Sequence, residues 1–481
     1  MQKKFTYSIK KQKKQSQTSE NEVLGQGGNP CPFCAIRSDY GKESNSENLI
    51  RDCLPTVFSL MLSGLYSVMD GLFVGRAAGD TGLAAVNLAW PLVAVITATG
   101  IGIGSGGSVL FSNLAGKDEK QESEKTYHLT VCLLVGVGIL LSVILFLTYP
   151  ILLQLLGARG EVLMQAEAYV QIIILGCVFQ IIGSGMIPLL RNRGMAVSAM
   201  VSMVTGMFVN LALNYVFIFK VGLGIRGAAL GTIAAQISVI FICIYLIYIK
   251  GKTKVQLVWN WKRSVKIFQI GVSAFGLSLA PSIVLIFTNL QCLKYGGDAA
   301  VACYAVISYI VFPVQSMLVG VGDGSQPLMS FYCGAGKREE LAYIKRVASA
   351  SVIVLGVVML AVVVSVSDFF PAIFGMSKQS EQFFHVGMRI SAVSFLFTGL
   401  AKFHISYLNA TLKVKPAMAL IYGETLIVAP IFLFLLPAVF GIIGIWWSLA
   451  ATQVMMLLLY QIVKELKITV DRTKKVDYSI L

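Results

Sequence analysis

Five ionisable side chains stand inside long apolar runs of this chain: Asp70, Asp323, Glu424, Lys402 and His404. Placing each one midway through a membrane-crossing helix costs about 2.5–3.5 kcal/mol. A carboxyl group withdrawn from water takes up a proton more readily and releases it when water returns, which is what coupling to a proton gradient requires. The same oxygens hold Na⁺ if neutral oxygens complete the shell. Asp70, in Tyr66-Ser-Val-Met-Asp70-Gly71, is the leading candidate. Asn210 and Asn214 are one helical turn apart and share a face, and Thr232 adds a hydroxyl. For the Asn pair, hydrogen bonding between helices and a ligand role are equally open. Asp323 and Glu424 are secondary acids, and Lys402 is a partner for Glu424. Tyr66, Tyr309, Gln315, Met317, Lys402 and Tyr407 are candidates to line an aromatic, Met-bearing cavity. Such a lining favours organic cations through contact with aromatic faces.

The elements that position these residues are apolar helices. Hydrophobic residues make up 56% of the 481 and charged residues 13%, against about 25% charged in a soluble protein. The mean hydropathy is +0.75. Stretches of spanning length fall near 50–75, 84–110, 128–149, 167–190, 198–219, 227–249, 267–293, 300–329, 346–366, 388–410, 416–437 and 442–463. Six precede the polar stretch 250–266 and six follow it. With the N-terminus on the cytoplasmic side, the loops on that side carry seventeen Lys and Arg, Arg191 and Arg193 among them, against seven on the other. This bias sets the orientation and puts both termini in the cytoplasm. The expected organisation is a basic disordered tail at 1–48, a six-helix lobe at 49–250, a cytoplasmic linker at 251–265, a second six-helix lobe at 266–465 and a cytoplasmic tail at 466–481.

The chain is also duplicated. Gly100-Ile-Gly102-Ile-Gly104-Ser105 returns as Gly320-Val-Gly322-Asp323-Gly324-Ser325, and Gly116-Lys117 returns as Gly336-Lys337. Gly224, Gly227 and Gln236 return as Gly441, Gly444 and Gln453. A repeat of this period inside a membrane is the usual plan of secondary transporters. Asp323 stands where the first repeat has Ile103, so the two halves are not equivalent there. Glycines four apart allow close helix approach. A phosphate-cradling loop would need a strand before it, and none is predicted.

Several classes are excluded or demoted. The net charge of +15 lies mainly in the N-terminal tail and alternate loops, which argues against a nucleic-acid partner. A channel would show a repeated filter or charged ring. His128, His385 and His404 form no triad or ligand pattern with the acids, so an enzyme is not expected. Cys31-Pro-Phe-Cys34 is half of a zinc site without a second pair. No metal and no cofactor are expected beyond a coupling ion, H⁺ with Na⁺ as the alternative.

Over about 50–465 the chain resembles the multidrug and toxin extrusion (MATE) family. The residues that carry the resemblance include Pro55 with Asp70-Gly71-Leu-Phe-Val-Gly75-Arg76, Arg193-Gly194, Asn210-Leu-Ala-Leu-Asn214 and Gly227-Ala-Ala-Leu-Gly-Thr232. Others are Gln326-Pro327-Leu, Tyr332-Cys-Gly334-Ala-Gly336-Lys337 and Gly441-Ile-Ile-Gly444-Ile-Trp446. The resemblance implies an all-α integral membrane fold of twelve helices in two pseudo-symmetric six-helix lobes around a central cavity. It implies export of organic, cationic, amphipathic drugs by antiport, and an ion site at Asp70, Asn210, Asn214 and Thr232. Many members carry Asp where this chain has Asn214, which points to H⁺ rather than Na⁺. The acids some members place in helices 7 and 10 are replaced by Asn289, Gln291, Lys402 and His404. A lipid-linked saccharide flippase of the same broad plan is the alternative. A monomer in a bacterial cytoplasmic membrane, in contact with the lipid bilayer, is expected.

Overall fold

Backbone groups in lipid must be paired within their own segment, and long runs of Leu, Ile, Val and Ala meet that demand as helices. In the computed structural model, residues 45–250, 259–374, 376 and 378–477 are described. The side chains at 45, 65–72, 75–80, 83, 84, 87, 248–250, 298 and 464–477 are outside the description. Among the described residues there is no strand.

The first half consists of α1 (Asn45–Gly116), α2 (Lys120–Leu155), α3 (Gly160–Leu175), α4 (Cys177–Asn192), α5 (Ala196–Asn214) and α6 (Ile225–Ile244). Single π-helical turns extend α5 through Lys220 and α6 through Lys250. The second half consists of α7 (Trp261–Gly334), α8 (Arg338–Val366), the short α9 (Phe370–Phe374), α10 (Lys378–Val393), α11 (Phe395–Ala410), α12 (Val414–Gly423), α13 (Ala429–Phe440) and α14 (Ile442–Asp477). A π-helical turn, Glu424–Val428, joins α12 to α13.

Nine stretches among the described residues are long and apolar enough to cross a bilayer, and two bent pairs raise the number to eleven. The bent pairs are α3 with α4, at 60°, and α10 with α11, at 41°. Each coincides with one predicted span, 167–190 and 388–410. The remaining predicted span, 50–75, lies in α1, where many side chains are outside the description. The N-terminal tail predicted at 1–48, with Cys31 and Cys34, lies outside the described residues up to 44; from Asn45 the chain is helical, and Asn48 is fully buried.

Two pairs of predicted spans run on as single helices. On a straight helix Ser59 and Ser105 of α1 would stand about 69 Å apart, yet both line one cavity. The two halves of α1 therefore lie side by side. Gly297, at φ 63° and ψ −161°, divides α7 in the same way.

Two hydrophobic cores follow from the duplication. One gathers Phe111, Tyr127, Leu134 and Ile173, and the other gathers Ile307, Leu318, Phe395 and Trp446. The start of each repeat crosses over. Leu49 of α1 packs in the second core, and Ile267 and Ile270 of α7 pack in the first. The repeated Gly224 and Gly441 explain themselves as well. Both sit at positive φ, 54° and 58°, immediately before α6 and α14, a conformation that favours residues without a Cβ.

Some of the repeated glycines, Gly116, Gly320 and Gly324 among them, lie where the two halves meet. A Cβ on Gly324 would come within 2.6 Å of the Cα of Cys53, and one on Gly320 within 2.8 Å of the Cα of Val57. Gly116 lies against the carbonyl of Phe331, and Gly334 against that of Asn113. Ser330 donates a hydrogen bond of 2.8 Å to the Val109 carbonyl at the same end. Gly334→Val therefore drives two methyl groups into backbone that has no rotamer to yield. It is expected to destabilise the protein by about 1–3 kcal/mol, read as a lower apparent melting temperature in detergent. An unchanged melting curve would show that the helix ends are free to part.

Candidate functional site

A cavity of about 280 Å³ opens between α1, α4, α5, α6 and α7. Ser59, Ser63, Thr97 and Ser105 of α1 supply hydroxyls, and Met203 and Met207 of α5 supply apolar wall. Asn210, Thr232 and Gln236 line one part of it, and Arg191, Asp323 and Gln326 line another. Two of the predicted coupling residues and one of the secondary acids therefore share a single space.

The helix period places Asn210 and Asn214 together, and a hydrogen bond joins them. The Asn214 amide donates to Asn210 Oδ1 at 2.6 Å. The Asn210 amide donates to Thr232 Oγ1 at 3.3 Å, and Thr232 donates to the Ala228 carbonyl at 3.0 Å. Asn210 and Asn214 are buried. Gly231 makes room for the second of them, since a Cβ there would overlap the Asn214 side chain. The chain of bonds runs through neutral groups, which can orient a carboxylate or surround a cation. Asp70 lies on α1, but its side chain and that of Tyr66 fall outside the described residues.

Arg191 and Arg193 differ from the sequence expectation, which counted both among the cytoplasmic loop charges. Both are buried. The last turn of α4 is drawn under α1 by Asn192, which accepts from Ser112 at 2.8 Å and donates to Ser108 at 3.1 Å. Arg193 Nη2 then donates to both Glu124 oxygens, at 2.8 and 3.0 Å, and the guanidinium lies over the Tyr127 ring at 4.5 Å. Arg191 Nη1 reaches Asp323 Oδ2 at 3.4 Å across the two halves. Hydropathy alone cannot separate a basic residue at a span end from a loop residue.

Glu424 takes a different place from Asp323. It is buried, and Lys402 Nζ donates to both its oxygens, at 2.6 and 2.7 Å. Gln453 Nε2 adds a bond of 2.9 Å. The expected Lys402 partnership is present, with Gln453 as a third member that sequence reasoning missed. The signal was available, since Gln453 is the repeat partner of Gln236. Nearby, the His404 ring stacks on Tyr460 at 3.8 Å.

The remaining cavity candidates lie elsewhere. Tyr309 is exposed and stacks on Phe374 at 6.1 Å. Tyr407 lies beneath Lys345 Nζ, 4.4 Å from its ring centre. Gln315 and Met317 are half-buried on α7, outside the lining of this cavity, as is Lys402.

The MatE family profile matches residues 55–216 and again 274–435. The chain belongs to the MATE family. The two matches also register the duplication, each covering most of one repeat. The multidrug export protein MepA of Staphylococcus saprophyticus is 26% identical over 455 residues, covering 91% of this chain and 98% of its own. Its namesake in Staphylococcus aureus (strain NCTC 8325 / PS 47) is 24% identical over 434 residues, covering 88% and 95%. Among solved structures, the outward-facing conformation of a multidrug resistance MATE family transporter of the MOP superfamily superposes with a TM-score of 0.84 at 20% identity. It covers 90% of this chain and 97% of that one. The protein is thus a multi-pass MATE efflux transporter, with the two-lobe, twelve-helix architecture of the family.

Proposed function

We propose that this MATE protein exports organic, amphipathic cations in exchange for H⁺. The observation that carries the reading is the cavity itself. Its wall is apolar and hydroxyl-bearing, and among its described lining residues Asp323 is the single carboxylate. The relatives named for multidrug export support it. For the coupling ion, the bonds described through Asn214, Asn210 and Thr232 include no carboxylate among the described side chains. One acid, Asp70, suffices to carry a proton, whereas Na⁺ needs several oxygens to complete its shell, and Asn214 stands where many family members bring a second carboxylate. A flippase for lipid-linked saccharides would present cationic groups to pyrophosphate; here the one described cavity cation, Arg191, faces Asp323.

The lobes assigned by this reading run 49–250 and 266–465, joined by a cytoplasmic linker at 251–265. Both tails lie on the cytoplasmic side of a bacterial membrane, and the working unit is a monomer. Ethidium export from proteoliposomes is expected to follow an imposed pH gradient and to ignore a Na⁺ gradient. Export driven by Na⁺ alone would overturn the proton assignment. Absence of any cation transport by folded protein would bring the flippase reading forward.

A further inference from the structure

Asp323 and Arg191 make an unusual pair. A strong Arg–carboxylate bridge has N–O distances near 2.7–2.9 Å, and Arg193 Nη2 comes close to this with both Glu124 oxygens, at 2.8 and 3.0 Å. Arg191 instead offers one nitrogen to one oxygen at 3.4 Å. Its other terminal nitrogen rests against the Met203 sulfur, at 3.4 Å, a weak acceptor. The Asp323 side chain is 32% exposed, toward the cavity, while that of Arg191 is 7% exposed. Among the described residues Arg191 is the one partner of Asp323, through Oδ2. The two are also the single acid and the single base among the described lining residues. The repeat offers no counterpart, since Ile103 is buried in the first core.

We infer that Asp323 recognises the positive charge of the substrate and that Arg191 is its built-in competitor. A cationic ligand in the cavity shares or takes the Asp323 carboxylate, against the guanidinium that holds it in the empty state. The competition weakens binding by design, and a carrier that must release its cargo needs such weakening. It also reaches the seam. The pair joins α4 of one half to α7 of the other, and Ser330, two helical turns beyond Asp323, is bonded to Val109 where the halves meet. A ligand that draws Asp323 away from Arg191 therefore removes one of the bonds between the halves. This inference rests on the proposal that the substrates are organic cations.

The test is equilibrium binding of ethidium to the purified full chain in detergent, read by fluorescence anisotropy, beside an uncharged dye of similar size. Asp323→Asn is expected to weaken ethidium about tenfold. Arg191→Gln is expected to tighten it several-fold, a direction that loss of a purely structural bridge does not give. The double variant should bind as Asp323→Asn does, because the competitor acts only through the carboxylate. The uncharged dye should bind all forms alike. Arg191→Met, which fills similar space, serves if the glutamine variant does not fold. If Arg191→Gln weakens ethidium, or Asp323→Asn leaves it unchanged, the inference fails while the cation-export reading stands. If the wild type binds the neutral dye and not ethidium, the cation-export reading falls and takes the inference with it.

Discussion

Glu424→Ala alone is expected to destabilise the protein by about 3–5 kcal/mol, and Lys402→Met with Glu424→Met by much less. The reason is the burial of the pair. The side chains of Lys402 and Glu424 are only 12% and 6% exposed, and Lys402 contacts both carboxylate oxygens. Removing the carboxylate leaves an ammonium in a setting that has no other charge arranged for it. Gln453 then also loses its acceptor, so a second polar group is stranded. Removing both charges exchanges a bridge that roughly breaks even for apolar contact. The three residues tie α11, α14 and the turn after α12 together, so the loss should appear as a lower apparent melting temperature in detergent. The decisive comparison is between the single and double variants. If their losses simply add, the two charges do not act as a pair.

The placement of this bridge shows what the sequence made legible and what it hid. Glu424 and Lys402 stand out as charges in apolar runs, and the distance between neighbouring spans makes them natural partners. The third member, Gln453, carries no net charge to mark it, and only its place in the repeat opposite Gln236 pointed to it. The shared face of Asn210 and Asn214 was legible from the four-residue spacing, because helix geometry alone sets it, whereas the bond between the two side chains was not. The repeated glycines were legible as close-approach sites, but their partners were not. Gly324 meets Cys53 and Gly116 meets Phe331, contacts that cross from one half to the other. A hydropathy window also averages over a bend, so the breaks near Gly176 and Ser394 were invisible inside spans of the expected length. Arg191 was the largest miss. The sequence offered a clue in Asp323, a membrane acid with no repeat counterpart and so in need of a cation from elsewhere.

Asp70→Asn is expected to abolish the response of export to a pH gradient while leaving ethidium binding and ethidium–ethidium exchange in place. Asparagine keeps nearly the same shape and can still form hydrogen bonds, so the substitution removes one property, the capacity to gain and lose a proton. Position 70 lies two helical turns beyond Ser63 on α1, and Ser63 lines the cavity. The described coupling candidates on α5 and α6 cannot take over the task. Asn210, Asn214 and Thr232 are joined through neutral groups that do not titrate in the working pH range. Asp323 faces Arg191 and is assigned to the substrate's charge, and Glu424 is held by Lys402 and Gln453. Exchange of ethidium for ethidium needs the cavity to open to both sides in turn but needs no net proton movement. A variant that exchanges but no longer responds to the gradient has lost coupling alone. A variant that loses both has lost the conformational cycle, which would make Asp70 a packing residue of α1. Export that still follows the pH gradient would move the coupling proton off Asp70. Asp323 would then become the first acid to test, since among the described residues it is the one carboxylate that lines the cavity.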